Sequence, residues 1–243
     1  MKNILEKLFG GIRLTWKKLI LFSIAVGILV GLFNVIPFLA GTSFQDFAVV
    51  LDIWFILAIF VIMNSQTRLD AVLKTFIFFL ISQPLIYLVT SLFTGTDFTF
   101  LLNQYYFRWY DGWFFWTFAT IPGAAIAYEI KKSNILSGLV LSVATGALAF
   151  FGSSTLIHSI LDTFPYHLFA ALLDLFFAFA FIFIILKKKS PRILALILTS
   201  CALLTGVLYY YDTYHNAQRG CYEQYYYDEE TGETIFNGIL CVD

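Results

Sequence analysis

Charge is scarce in this chain. Only 13% of its 243 residues are Asp, Glu, Lys or Arg, against about 25% in an ordinary soluble domain. With 60% of residues hydrophobic, a water-soluble core under a charged shell is excluded. Histidine is nearly absent, at three residues, which leaves little for metal chemistry, and three cysteines leave one natural pair. Several motifs are missing outright. The chain has no G-x-x-x-x-G-K-[ST] loop, no dinucleotide glycine motif after a strand, no His-Glu-x-x-His and no G-x-S-x-G elbow. Powered transport would therefore need another subunit. The basic residues sit in short clusters at the ends of apolar runs, so no nucleic-acid surface is expected.

What is present is a series of apolar stretches, at about 18–40, 47–63, 71–93, 112–130, 135–157, 166–186 and 192–211. Most approach the roughly 20 residues a helix needs to cross a bilayer. Hydrocarbon offers no partner for backbone N–H and C=O groups, so each crossing must be helical. The expected fold is an all-α integral membrane protein, a seven-helix bundle over residues 18–211 in a multi-pass cell membrane setting, with a single-membrane bacterial surface as the favoured source.

Orientation follows from the basic residues, which concentrate on the cytoplasmic side of membrane proteins. Lys2, Lys7, Arg13, Lys17, Lys18, Arg68, Lys74, Lys131, Lys132, Lys187, Lys188, Lys189 and Arg192 fall on one side of a seven-span arrangement. Only Arg108 and Arg219 fall on the other. The N-terminus is expected inside and the C-terminus outside. Residues 1–17 place Ile4, Leu5, Leu8, Phe9, Ile12 and Trp16 at helical spacing between lysines, the pattern of a cytoplasmic amphipathic leader lying on the inner surface. The first apolar run exceeds the usual length of a signal-peptide core and is read as a retained helix.

Residues 212–243 form a tyrosine-rich tail fenced by Cys221 and Cys241. Outside the cell a disulfide between them can persist, whereas Cys201 lies in the last apolar run. Folding the tail about Thr231 sets Tyr222 against Leu240, Tyr226 against Phe236 and Tyr227 against Ile235, pairs suited to a β-hairpin whose turn is Glu229–Gly232. A bridge closing this loop would contribute about 3 kcal/mol on the chain-entropy account. Asp228–Glu233, DEETGE, also resembles the turn-forming degron read by a Kelch-propeller ubiquitin adaptor. An external tail would be out of reach of that cytosolic protein.

Ionisable groups in hydrocarbon cost about 2.5 to 3.5 kcal/mol each on insertion scales, so each needs a reason. Asp174 lies well inside the sixth run and Asp52 lies more shallowly in the second. Arg108, Asp111, His158, Asp162 and His167 are expected at the same outer level, giving an outward-facing polar pocket. Local pairing, or reach to the interface, is the alternative account of each group. Gln83-Pro84 and Pro122-Gly123 sit near mid-membrane, where proline removes a backbone donor. Helix breaks at Pro84 and Pro122 would free carbonyls to work beside Gln83, with simple kinks as the alternative.

Gly27-x-x-x-Gly31 and the small residues Gly138, Ser142, Ala144 and Gly146 mark close helix approach, within the bundle or between subunits. The aromatics of residues 105–116 read as an interfacial belt. Ser154-x-x-x-His158 resembles a fragment of the seven-helix membrane zinc hydrolases related to alkaline ceramidases. Those also carry a late His-x-x-x-His helix, which no residue after His215 supplies here.

Three functions remain in view. The first is a small transporter, or the membrane subunit of a transport system, with a solute site drawn from Gln83, Asp174, Asp52, Arg108, His158, Asp162 and His167. The second is a non-catalytic accessory protein that meets a membrane or extracytoplasmic protein partner through its tail. The third is an outer-leaflet metal-dependent hydrolase using His158, Asp162, His167 and Asp174. No catalytic residue, metal site or cofactor is assigned, and the lipid bilayer is the one partner composition demands.

Overall fold

In the computed structural model the described residues are 2–49, 52–108, 112–218, 221–228 and 233–241, with side chains described for 3–47, 52–108 and 112–213. The helices are α1 (Lys2–Leu8), α2 (Trp16–Val35), α3 (Ser43–Val49), α4 (Asp52–Met63), α5 (Arg68–Thr94), α6 (Phe98–Leu101), α7 (Trp113–Ala127), α8 (Ile135–Leu161), α9 (Leu168–Ile185) and α10 (Lys189–Gln218). A 3-10 turn, Pro37–Leu39, precedes α3, a π-helical turn, Leu102–Tyr106, follows α6, and a second 3-10 turn, Tyr128–Lys132, follows α7.

Among the described residues, five helices (α2, α5, α8, α9 and most of α10) are long and apolar enough to cross a membrane, and the protein is a helical membrane protein on that ground. Two of the seven expected runs take another form. The 47–63 run starts earlier, with α3 from Ser43 and α4 from Asp52, and Ser43 is seated on the start of α9. Its N–H and hydroxyl donate to the Tyr166 carbonyl at 2.8 and 2.9 Å, and its Oγ accepts the Ala170 N–H at 3.0 Å. The 112–130 run gives a 15-residue helix that tightens into the second 3-10 turn and stops at Ser133, whose φ is +49°.

Helix directions follow from the contacts. Gly27 of α2 meets Ser82 and Leu85 of α5, and Gly31 meets Ile86 and Val89, so α2 and α5 run parallel. The chain between them, α3 and α4, carries it back. α7 is antiparallel to α5, with Phe76 against Phe118 and Arg68 paired to Glu129. α8 is antiparallel to α9, with Gly152 against Asp174 and Ser133 beside Ile185. α8 and α10 run parallel, with Gly138 on Pro191, the Thr145 and Thr199 hydroxyls 2.7 Å apart, and Ser153 donating to the Leu203 carbonyl at 3.0 Å. Helices α2, α4, α5, α7, α8, α9 and α10 therefore alternate in direction.

Small residues make these contacts close. A Cβ on Gly27 would stand 2.7 Å from the Ser82 carbonyl oxygen, and one on Gly138 would stand 2.5 Å from that of Pro191. Where hydrocarbon-like packing leaves hydroxyls no water, they donate back along their own helix: Ser23 to the Leu19 carbonyl, Ser65 to Val61, Thr90 to Ile86 and Thr117 to Trp113. Pro84 and Pro122 both lie inside uninterrupted helices, which corrects the expectation of helix breaks there. Each removes a donor, toward the Leu80 and Phe118 carbonyls, yet the helix continues on both sides of it.

One end of the bundle gathers the cations. Arg68 and Lys132 pair with the Glu129 carboxylate, Lys74 pairs with Asp70 at 2.7 Å, and Lys187 pairs with Glu6 at 2.8 Å. The helical part of the leader, α1, is seated at this basic end. Phe9 is buried against Phe60, Phe177 and Phe181, with ring centroids 6.1, 6.0 and 4.8 Å away. The Asn64 amide oxygen accepts N–H bonds from Gly10 and Ile12 at 3.2 and 2.9 Å, while its nitrogen donates to the Leu8 and Phe60 carbonyls at 2.6 and 2.9 Å.

α10 ends at the opposite end, called here the tail end. Beyond it, β1 (Cys221–Asp228) and β2 (Glu233–Cys241) pair antiparallel. Cys221 faces Cys241 and Tyr222 faces Leu240 in Cα register. An irregularity between Glu223 and Tyr225 then sets Tyr225 against Phe236, Tyr226 against Ile235 and Tyr227 against Thr234, one residue from the expected register. The expected turn Glu229–Gly232, the Cys221–Cys241 bridge and Asp111 lie outside the described residues or side chains.

Candidate functional site

The polar site at the tail end is assembled by three helix starts and two helix ends. The Ser43 contacts fasten the beginning of α3 to the beginning of α9, and one turn along α3 Asp46 reaches the N-cap residue of α9. His167 Nδ1 donates to Asp46 Oδ2 at 2.8 Å. The ring of His167 also lies beside that of His158, the last-turn histidine of α8, with centroids 5.6 Å apart. His158 Nδ1 in turn lies 3.0 Å from Asp162 Oδ2 and 2.7 Å from the hydroxyl of Tyr210 on α10, which also donates to Asp162. Hydrogen bonds from Tyr210 and His158 hold the exposed Asp162 carboxyl below the usual carboxylate range.

Deeper in the bundle, Asp52 opens α4 and Asp174 lies two turns inside α9. Both are buried, at 8% and 3% exposure. Asp174 projects where α8 carries Gly152, and a Cβ on that glycine would approach the Asp174 Cβ to 2.9 Å. The absent side chain makes room for the carboxyl. The Asp52 and Asp174 carboxyls meet within hydrogen-bonding reach, and Asp46 is near enough for its charge to act on both. Asp52 Oδ1 is buried and faces no N–H or hydroxyl donor among the described residues. Two carboxyl oxygens can hydrogen-bond only when one of them carries a proton.

Of the residues expected in an outward pocket, the structure thus brings Asp52, Asp174, His158, Asp162 and His167 into one array and adds Asp46 and Tyr210. Depth alone could have found those two. Asp46 stands one residue before the second apolar run and Tyr210 one residue before the end of the last. Arg108 is exposed two residues beyond the π-helical turn, and that turn packs on α5 and α7. Gln83 is fully buried on α5, one turn beyond Phe79, which meets Trp54, and two turns beyond Phe76, which meets Phe118. Neither of its amide atoms has a partner among the described residues, and the same holds for Trp54 Nε1.

At the basic end, Gly10–Arg13, Met63–Gln66 and Lys131 line a shallow open depression of about 270 Å³. Lys131 donates to the Met63 and Ser65 carbonyls at 3.2 and 2.5 Å. Burial, with some help from Lys74 and against the pull of Asp70, pushes its ammonium below the ordinary lysine range.

As for metal chemistry, no three His, Cys, Asp or Glu side chains converge as a metal-binding set among the described residues. His158 and His167 each direct Nδ1 to a carboxylate, which leaves Nε2 as the basic nitrogen of a neutral imidazole. The array is equipped to take up, hold and pass protons, and to present two carboxyls to a solute or ion. No protein family, characterised protein or solved structure matches the chain.

Proposed function

We propose that this chain is a small transporter, or the membrane subunit of a transport system, in a cell membrane of bacterial type. In this reading it crosses seven times, with its N-terminus inside and its C-terminal tail outside. What supports seven crossings is the alternation of α2, α4, α5, α7, α8, α9 and α10, together with the cations gathered at the end reached by α1, the end of α4 and the starts of α5, α8 and α10.

The observation that carries the transport reading is the buried Asp52–Asp174 carboxyl pair, opened toward the tail end by Asp46 and His167. A bundle that served only as an anchor would bear the cost of two buried acids without return, and intramembrane carboxyls of this kind mark solute and ion pathways. Gln83, buried on α5 with an amide that finds no partner among the described residues, supplies a second polar contact for a solute.

The test is a thermal-stability screen of the purified protein against ions, amino acids, sugars and small carboxylates, followed by uptake into proteoliposomes. Asp174→Asn should remove the solute-dependent shift and the uptake while leaving the protein inserted. Undiminished uptake in that variant would remove the site from the path.

A second reading has its own support. Cys221 and Cys241 are Cα partners in the antiparallel ladder. Such positions lie about 4.5 to 5.5 Å apart, inside the range of about 4.4 to 6.8 Å that a disulfide needs. A stapled external hairpin is a suitable recognition element for a membrane or extracytoplasmic protein. If mild-detergent purification recovers the same partners with and without residues 212–243, recognition by the tail is ruled out.

A further inference from the structure

We propose that the Asp46–His167–His158 array is a proton path from the tail-end surface to the Asp52–Asp174 pair, and that this pair is a proton-binding site. The inference rests on the transport reading only for the use made of the proton. The geometry of the path stands independently of it.

Burial rises along the array. The side chains of His158 and Asp162 are 38% and 34% exposed, those of His167 and Asp46 are 19% and 23% exposed, and Asp52 and Asp174 are buried. Each histidine is held at Nδ1 by a carboxylate, and the two rings are tilted by 32° at 5.6 Å, a separation one water can bridge. A proton taken by His158 at Nε2 makes an imidazolium that the Asp162 carboxylate and the Tyr210 hydroxyl stabilise. Passed to His167 at Nε2, it is balanced by release of the Nδ1 proton to Asp46 Oδ2, 2.8 Å away, so the ring leaves the step neutral in the other tautomer. Asp46 then delivers the proton inward. The carboxyl pair goes from one proton and one negative charge to two protons and none.

Other titratable groups do not compete for this role. Asp46 of α3 is the charged group acting on both members of the pair, and behind it lie His167 at the α9 N-cap, His158 and Asp162 at the end of α8, and Tyr210 on α10. α7 packs on α4 and carries no titratable residue. On α5, Tyr87 stacks on Tyr105 and meets Tyr106, while Asp70 and Lys74 pair with each other at the basic end. Glu6 and Lys7 of α1 also lie at that end.

The test needs no identified solute. Dicyclohexylcarbodiimide reacts with a buried carboxylic acid and not with its carboxylate, and mass spectrometry locates the adduct. In sealed vesicles holding the full chain, Asp52 or Asp174 should label at neutral pH. Labelling should fall when pH is raised on the side carrying the C-terminal tail and stay constant when it is raised on the other. His167→Gln keeps a hydrogen-bond donor toward Asp46 but cannot relay, and should slow the response at least tenfold. His158→Gln, at the exposed end, gives the same reading without a buried substitution. Absence of labelling at any pH, a response to the opposite side, or unchanged kinetics in both variants would overturn the proposal. Labelling that tracks tail-side pH in a protein that takes up nothing would retire the transport reading and keep the proton path.

Discussion

Gly27 on α2 lies against Ser82 on α5 so closely that a Cβ would stand 2.7 Å from the Ser82 carbonyl oxygen and 2.8 Å from the Leu85 Cβ. Backbone cannot yield as a flexible side chain can. Gly27→Val is therefore expected to destabilise the bundle by about 1 to 3 kcal/mol, read as a lower midpoint of unfolding in detergent. Gly123→Ala, where a Cβ meets nothing within 4 Å, should be close to neutral. Equal effects at the two sites would mean that α2 and α5 do not pack in this way.

The parallel course of α2 and α5 requires the chain between them to return across the bundle. Single-cysteine reporters at Thr42 and Gln66 should consequently react with a membrane-impermeant maleimide from opposite sides of the membrane. Both reacting from one side would show that α3 and α4 do not complete a crossing, and the seven-span topology would lose its second leg.

Asn64 uses its amide oxygen and nitrogen in four hydrogen bonds, three of them to the last residue of α1 and the segment just after it. Asn64→Ala should loosen that segment by on the order of 2 kcal/mol, equivalent to about thirtyfold faster amide exchange. Deuterium uptake localised to residues 3–13 is the measurement. Uptake unchanged there would leave the burial of Phe9 as the whole of the docking.

The Asp162 carboxyl is held low because Tyr210 and His158 donate to its charged form. A depressed carboxyl contributes stability that is fully present above its unfolded value, near 3.8, and is lost as pH falls through the folded value below that. The link between α8 and α10 at this end should accordingly weaken only in strong acid. Tyr210→Phe removes the leading cause and should move the Asp162 titration upward, as followed by carbon NMR of the labelled carboxyl in detergent. A titration that stays where it was would assign the effect to His158.

Much of the architecture was legible because a bilayer imposes a one-dimensional rule. Length and polarity locate helices, and lysine and arginine placement orders their ends. Counting depth along each run also grouped Asp52, Asp174, His158, Asp162 and His167, since residues at one level share one end of the bundle. It could not separate faces. Depth set Arg108 at the outer level and Gln83 near mid-membrane beside the same expected path, yet both belong to the α4–α5–α7 side, because rotation about a helix axis is set by packing. Of the two readings of Pro84 and Pro122, break or simple kink, the break does not occur: one lost backbone donor leaves the remaining bonds of a long helix in place.

The sequence by itself determined that this is a helical membrane protein and which residues stand at each end, because the exclusion of charge from hydrocarbon acts on every segment separately. Only the tertiary structure decided that α2 and α5 run side by side in one direction, that Ser43 fastens α3 to α9, and that Asp46, 121 positions from His167, completes the route to the buried acids. Those are contacts between distant segments, fixed by the shapes of facing side chains and the absence of a Cβ at a few glycines, and no local pattern encodes them.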